Sequence, residues 1–439
     1  MPDSAFDPQL SAELHNTILH HAWTGAGRDL ALLPSTTWWE GSSPLPADTA
    51  IRLNANLVHF LRLAKITTPD PQFHFFYFLR SLQVSAQMYS LSYESDPDRF
   101  IYLYPSTSAI FDEDEVGIVF DQKTELAAYV AHWYDIPCMF GETWGWKPLQ
   151  DILRAYLEMI EEGKVQASSN RVEEEEEEQE KPRFFPWQYH EYTDRDIAKA
   201  INAFTRLLDA IDQRLPQPAR DPELQLPYSP ATLAEAAIPI NTFIRSFLSE
   251  VPPRTLSFRY IAPGISIQSA TEFIARPWKD LSYIGPFLLF RGDESSSLSY
   301  KRLLFPNPEY SHQGVSTGLY LMPAAEGPAN FRNSCRLLLP FNIGAREYAR
   351  FSNGQKLQEA RAWYMPQEDT SFELYQPGRE SGFLEFHEVQ LHKVLLNWAE
   401  RVEMGDWEVN ADGVVGGIRK FAEADTPEHW KEYQIPLSW

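Results

Sequence analysis

The chain has 439 residues, of which 44 % are hydrophobic and 14 % aromatic, and it contains 13 tryptophans. This length and composition suffice for two or three domains with sizeable cores, and they exclude disorder as the general state. The net charge of −23 argues against nucleic acid and anionic membrane surfaces as partners, because binding to either depends on lysine and arginine.

The absence of targeting features predicts a cytoplasmic protein. The first 25 residues hold no basic segment followed by an apolar block, so we expect no secretory signal. No run of apolar residues approaches the 18 that a transmembrane helix requires. Cys138 and Cys335 are the only cysteines, which indicates a reducing compartment rather than a disulfide-stabilised fold.

Residues 1–165 are predicted to form a helix-rich N-terminal part. Asp48 or Thr49 can cap a helix whose apolar positions, from Ile51 to Leu61, have helical spacing. The next predicted elements are strands over residues 100–104 and 116–120, followed by helices over residues 124–134 and 148–162.

Residues 166–192 are predicted to be an acidic, disordered linker. The six consecutive glutamates Glu173–Glu178 repel one another and stay solvated, and the surrounding segment has no apolar periodicity. We therefore expect a flexible connection between two folded parts, with residues from about 168 to 181 disordered and dispensable for folding.

Residues 193–439 are predicted to form a C-terminal part with a mainly antiparallel sheet flanked by helices. Thr193 and Asp196 have the spacing of a capping box ahead of an amphipathic helix. Helical periodicity returns from Glu385 to Met404. Short apolar segments bounded by Pro, Gly or Asn predict strands over residues 256–261, 286–290, 318–322 and 336–341. The chain as a whole is thus predicted to be α+β.

One segment of each part has a similar sequence. Leu149, Leu153 and Gly163 recur 242 residues later as Leu391, Leu395 and Gly405. An ancient duplication explains the match. Two unrelated amphipathic helices that each end at a glycine also have similar sequences, because the spacing of core residues and the glycine cap determine most of the matching positions. We favour this second explanation.

Glu385, Glu388 and His392 are the best candidates for metal ligands. Their spacings of three and four residues place them on one helical face, as carboxylate-bridged metal sites require. A second helix with Glu and His is needed for such a site, and the sequence shows none. We therefore predict no metal and no other cofactor, and we interpret this face as solvated and polar, beside an apolar stripe that includes Trp398.

Tryptophans in loops are the best candidates for residues that face a ligand. Trp38, Trp39, Trp144 and Trp146 lie near glycine, proline or acidic residues. Aromatic side chains beside carboxylates can line a small-molecule pocket, including a sugar site with paired acids. The alternative, which we favour, is that these tryptophans fill space between packed parts.

Two segments resemble known sequences. WEVNADGVVGGIRKFAEADT, at residues 407–426, and PLQDILRAYLEMIEEGKV, at residues 148–165, are similar to segments of an uncharacterised family of proteins from filamentous ascomycete fungi. The resemblance covers most of the chain and implies an intracellular setting. It transfers no activity, cofactor or catalytic residue.

The leading functional hypothesis is a non-catalytic module that binds another protein. No constellation for nucleophilic, metal or phosphate chemistry is present, and no catalytic residue is identified. The alternative is a hydrolase-like enzyme with an acid/base pair of carboxylates in an aromatic-lined cleft, which leaves little trace in the sequence. A small-molecule ligand is compatible with both hypotheses.

Overall fold

The chain is an α+β protein, as predicted, with helices in the N-terminal part and a mainly antiparallel sheet in the C-terminal part. No helix of the described residues is long and apolar enough to span a membrane. The computed structural model describes residues 5–45, 47–67, 73–91, 96–107, 116–130, 146–169, 184–216, 224–275, 286–295, 316–321, 333–357, 372–376 and 389–436.

The N-terminal part surrounds a small antiparallel sheet with helices. Its helices are α1 (Pro8–Gly25), α2 (Trp38–Gly41), α3 (Ala47–Arg52), α4 (Ala55–Leu63) and α5 (Leu149–Glu161). Its strands are β1 (Phe100–Pro105), β2 (Gly117–Asp121), β3 (Leu126–Val130), β4 (Val165–Ala167) and β5 (Trp187–Tyr189). Strands β1, β2 and β3 pair in that order, and α1 packs against α4 and α5.

The helix predicted from Asp48 to Leu61 is in fact two helices. Asn54 ends the first and caps the second, because its side-chain oxygen accepts hydrogen bonds from the backbone N–H groups of Asn56 and Leu57. Ile51, predicted to lie on the apolar face, is 83 % exposed.

The helix predicted over residues 124–134 is wrong where the structure describes it. Residues Leu126–Val130 form β3, which pairs with β2 along its whole length. Four of its five residues are buried, which explains the result: the segment packs on both faces, and this packing outweighs a helical preference.

The predicted disordered linker is ordered at both of its ends. Strands β4 and β5 pair with each other, and the Ser168 amide donates to the Pro186 carbonyl at 2.8 Å. Trp187 is fully buried in the N-terminal core. The glutamate run, which lies outside the described residues, therefore connects two paired strands of the N-terminal part rather than two domains.

Removing the acidic segment should leave the fold intact. Residues 170–183 connect the ends of β4 and β5, which are already held together by hydrogen bonds, so a short Gly-Asn-Gly turn can replace them. Since a shorter loop costs less closure entropy, we expect an unchanged or slightly raised melting temperature. Differential scanning calorimetry of the shortened chain tests this, and a drop of more than about 5 °C, roughly 1 kcal/mol, contradicts it.

The C-terminal part contains the larger sheet. Its helices are α6 (Asp194–Arg214), α7 (Pro230–Glu235), α8 (Phe243–Glu250), α9 (Ala270–Ile274), α10 (Leu391–Met404) and α11 (Trp430–Tyr433). Its strands are β6 (Leu224–Gln225), β7 (Thr255–Leu256), β8 (Tyr260–Ala262), β9 (Ile265–Ser266), β10 (Phe287–Ser295), β11 (Ser316–Leu321), β12 (Cys335–Leu338), β13 (Glu373–Leu374), β14 (Val409–Asn410) and β15 (Gly413–Val414).

Eight of these strands form one sheet over the described residues, in the order β13-β12-β11-β10-β9-β8-β15-β14. All neighbours are antiparallel except β15 and β8. The predicted capping box of Thr193 and Asp196 begins α6, and α6 packs along α10. Phe204 of α6 stacks on Phe290 of β10, which joins the helical layer to the sheet.

The two parts have separate hydrophobic cores. One core contains buried residues between Phe6 and Trp187, and the other contains buried residues between Ile197 and Ile435. The boundary between them falls close to residue 190, near the C-terminal end of the predicted linker.

The matched segments of the two parts occupy similar positions in the fold. Helices α5 and α10 each come after strands of the sheet of their own part, and each packs on the long helix that begins its own part, α1 or α6. Tyr156 and its counterpart Trp398 are both fully buried. Gly163 and Gly405 follow the two helices with φ of 77° and 86°, left-handed conformations that favour glycine. These parallels give the duplication more weight than the sequence alone did.

Candidate functional site

The structure places His392 in the interior, not on a solvated face. Its side chain is 4 % exposed and lies in the first turn of α10, the end of the helix nearest the N-terminal part. The interpretation of this face as solvated is therefore wrong for His392. Glu385 and Glu388 lie outside the described residues.

Charged groups join the two parts where α5 ends and α6 begins. Lys164 Nζ is 2.7 Å from Asp196 Oδ2, and both side chains are almost completely buried. Lys199 Nζ lies 2.6 Å from Glu162 Oε2, and Arg195 donates to the Glu161 carbonyl. We call these contacts the junction. Each of them pairs a residue of the N-terminal part with one of the C-terminal part.

Burial keeps His392 neutral. Together with the positive charges of Lys393, Lys199 and Lys164, and against the opposing effect of Asp196, it lowers the pKa of His392 to about 3. Burial also lowers the pKa of Lys164, while the Asp196 carboxylate counteracts this effect. The imidazole is thus a neutral donor and acceptor of hydrogen bonds at neutral pH.

The described residues show no group of three or more His, Cys, Asp or Glu side chains that could hold a metal ion. Of the cysteines, Cys335 is buried on β12, and Cys138 lies outside the described residues.

The candidate aromatic side chains do not form one surface. Trp38 belongs to the core: it is 3 % exposed, and its Nε1 donates to the Gln83 carbonyl at 2.8 Å. Trp39 is half-buried, with the Arg62 guanidinium 4.9 Å from its ring centre. Trp146 stacks on Phe100. Trp144 lies outside the described residues. Trp38 therefore lies within the core of the N-terminal part, and not in a space between the two parts.

Carboxyl groups with a lowered pKa are occupied by structural contacts. Glu40 and Glu272 close capping boxes, where hydrogen bonds from Thr37 and Ser269 lower their pKa. Glu403 pairs with Arg206, whose hydrogen bonds lower its pKa. Each of these three lowered pKa values thus has a structural cause, whereas burial raises the pKa of Glu158 and Asp293.

The buried side chain of His15, in the N-terminal part, is hydrogen-bonded through both ring nitrogens. His15 Nδ1 lies 2.8 Å from the Tyr104 hydroxyl, and Nε2 lies 2.8 Å from the Lys65 carbonyl. Since a carbonyl only accepts, Nε2 carries the proton and Nδ1 accepts from tyrosine. Burial lowers the pKa of His15 to about 4, an effect that the Lys65 carbonyl partly opposes.

Acid should destabilise the fold through His15. Its pKa is about 4 in the folded chain and about 6.5 in an unfolded chain, so between these values the unfolded state binds more protons. The free energy of unfolding should therefore fall by about 1.4 kcal/mol per pH unit over this range from His15 alone. Urea unfolding from pH 7 to pH 5.5 measures the slope. His15→Gln should reduce it, whereas His20→Gln, at an exposed position of the same helix, should not.

The leucine turn, Leu30–Leu33, is a solvent-exposed apolar element that the sequence patterns did not reveal. Leu30–Leu32 form a 3-10 helix with no buried residue, and Leu30 and Leu32 are 51 % and 71 % exposed. Their exposure is unusual because two large apolar side chains stand on one short turn.

The leucine turn is held in place by the residues before it. The Asp29 carboxylate accepts a hydrogen bond from the Ala31 amide at 2.9 Å, and the Asp29 carbonyl accepts one from Trp23 Nε1 at 2.8 Å. The Arg28 guanidinium lies 5.0 Å from the ring centre of Trp23 and 4.4 Å from that of Phe73. The turn is thus fixed on the end of α1 while its leucines face solvent.

Comparison of the chain with protein-family models, with curated proteins and with solved structures gives no match.

Proposed function

We propose that the chain is a non-catalytic, cytoplasmic module that binds another protein through the leucine turn. The observation that carries the proposal is the exposure of Leu30 and Leu32 on a turn that Asp29 and Trp23 hold rigidly. Large apolar side chains scattered singly on a surface need no explanation, whereas two on one fixed turn form a small apolar patch that a partner can cover.

The leucine turn can supply a measurable part of the binding free energy. Complete burial of an exposed leucine contributes about 1.5–3 kcal/mol. Leu30 and Leu32 still expose half and about two thirds of their surface, so together they can contribute about 2–4 kcal/mol, or roughly ten- to a thousandfold in affinity. Little of it is lost to ordering, because the turn is already fixed in the free chain.

The partner's surface follows from the charge of this chain. A net charge of −23 repels acidic surfaces, so the partner should offer an apolar recess with a basic rim. The resemblance to ascomycete proteins suggests fungal cytoplasm as the source of that partner. The rival enzyme hypothesis needs paired acids in a cleft, and the three carboxylates with a lowered pKa instead serve caps and an ion pair.

Affinity capture from an extract of the source cells, followed by calorimetry with the purified partner, tests this function. Leu30→Ser/Leu32→Ser should weaken binding at least tenfold and leave the urea midpoint unchanged, because both side chains are already exposed. Ile240→Ser is the matched control, since Ile240 is 77 % exposed but lies in the C-terminal part. Equal binding by both variants, or no protein captured by the wild-type chain, contradicts the proposal.

A further inference from the structure

No helix or strand of the N-terminal part packs along an element of the C-terminal part, within the residues that the structure describes. Each part has its own hydrophobic core, and the chain passes from one part to the other once, close to residue 190. Parts that are joined in this way move relative to each other unless a large apolar interface fixes them. The contacts that connect the two parts therefore decide whether they move.

The contacts of the junction are ionic or polar and lie beside the point where the chain crosses. The junction residues of the C-terminal part all belong to the first two turns of α6, directly after the crossing. The side chains of Lys199 and Glu162 are 31 % and 30 % exposed, whereas the Lys164–Asp196 pair is buried. Since a hinge consists of a few residues at the end of an element that absorb the change in backbone angles, residues 190–193 are in the position of one.

The closed arrangement does not satisfy the buried pair completely. Asp196 Oδ1 is buried and accepts no hydrogen bond among the described residues, while Oδ2 accepts from the Thr193 amide and hydroxyl. Burial lowers the pKa of Lys164 although Asp196 counteracts this effect, so the ammonium group is less favourable here than in water. Water would solvate both groups if the parts separated. A buried ion pair of this kind contributes little net stability, because the cost of desolvation offsets the mutual attraction.

The overall charge of the two parts also opposes the closed arrangement. Residues 1–190 contain more Asp and Glu than Lys and Arg, and so do residues 191–439. Both parts are therefore negative and repel each other, while the junction attracts them at short range. A local attraction that opposes a long-range repulsion is the balance that an equilibrium between two conformations needs.

We propose that the two parts open and close about a hinge at residues 190–193, and that the Lys164–Asp196 ion pair holds the closed arrangement. On opening, the carboxylate and the ammonium group both enter water, and Lys199 separates from Glu162. The device is a conformational equilibrium set by one buried ion pair, and it involves no covalent step. It does not rest on the proposed function, because the leucine turn lies wholly within the N-terminal part.

Chemical labelling of Lys164 detects the open arrangement in the unaltered chain. Its side chain is 0 % exposed when the parts are closed, so an amine-acetylating reagent can reach it only while they are open. Mass spectrometry should show that Lys164 is labelled at least tenfold faster than the unfolded population allows, and urea unfolding measures that population. Labelling no faster than this limit overturns the proposal.

Small-angle X-ray scattering separates opening of the parts from local fraying around Lys164. Lys164→Met should increase the radius of gyration relative to the unaltered chain, because Asp196 without its ionic partner is more stable in water than in the interior. Lys164→Met/Asp196→Asn, which carries neither charge, should remain as compact as the unaltered chain. Circular dichroism of each variant checks that both parts stay folded during the measurement.

Arg99→Met is the matched control for the scattering experiment. Arg99 pairs with the buried carboxylate of Asp121 at 2.8 Å, but both residues belong to the N-terminal part, so the radius should not change. If Lys164→Met does not fold, Arg195→Gln/Lys199→Gln, which removes the two more accessible contacts of the junction, replaces it and should also increase the radius. An unchanged radius in the folded junction variant, or an equal increase in the control, overturns the proposal.

Discussion

Trp398→Ala will lower the free energy of unfolding by about 3–5 kcal/mol, as expected for the loss of a large core aromatic. Trp398 is fully buried on α10, and its ring lies 6.4 Å from that of Trp407 and 6.2 Å from that of Phe421. Its Nε1 donates to the Tyr375 hydroxyl at 2.9 Å, and Tyr375 is itself buried. Alanine therefore leaves both a cavity and a hydroxyl without its donor.

Urea unfolding followed by circular dichroism measures this effect. Met404→Ala is the matched control on the same helix, because Met404 is 69 % exposed and should change stability by less than about 0.5 kcal/mol. Similar losses of unfolding free energy for the two variants would show that the face of α10 that carries Trp398 is not the buried one.

Lys164→Met will also cost about 3–5 kcal/mol, because it leaves a buried carboxylate without its ionic partner. Lys164 and Asp196 have 0 % and 1 % of their side-chain surface exposed, and the distance between their charged atoms is 2.7 Å. Methionine has a similar length, so the loss reflects charge rather than volume. The substitution should weaken mainly the contact between the two parts, since Lys164 belongs to the N-terminal part and Asp196 to the C-terminal part.

The double variant Lys164→Met/Asp196→Asn separates an unpaired charge from a lost contact. Asparagine is uncharged and keeps an oxygen that can accept from the Thr193 amide and hydroxyl, as Asp196 Oδ2 does at 2.7 and 2.9 Å. Much of the lost stability should therefore return in the double variant. If the double variant is as unstable as Lys164→Met, charge is not the cause.

Local signals in the sequence predicted the start of α6 and the buried stripe of α10. The capping box of Thr193 and Asp196 and the periodicity of Leu391, Leu395 and Trp398 are interactions between residues a few positions apart, and the structure confirms them. Strand β3 was missed because its pairing with β2 and its burial on both faces are not visible in a short window of sequence.

The candidate sites depend on contacts between distant residues, which explains why the sequence identified them poorly. His392 has helical spacing from the acidic residues before it, so a polar face was a natural interpretation. Its burial arises because Lys164 and Asp196 come from other elements. Likewise, the leucine turn reads as an ordinary apolar segment, and only the fold shows that nothing among the described residues buries Leu30 or Leu32.

The junction also bears on the order in which the chain folds during synthesis. The N-terminal part leaves the ribosome first and has its own core, so it can collapse before α6 and α10 exist. At that stage Lys164 stands without Asp196, and Glu162 stands without Lys199, so water must solvate these charges. Docking of the C-terminal part then removes that water and joins each charge to its partner. We therefore expect the newly made first half to be a charged, soluble intermediate whose lysine changes from an exposed ammonium group to an internal ion pair in the final step of folding.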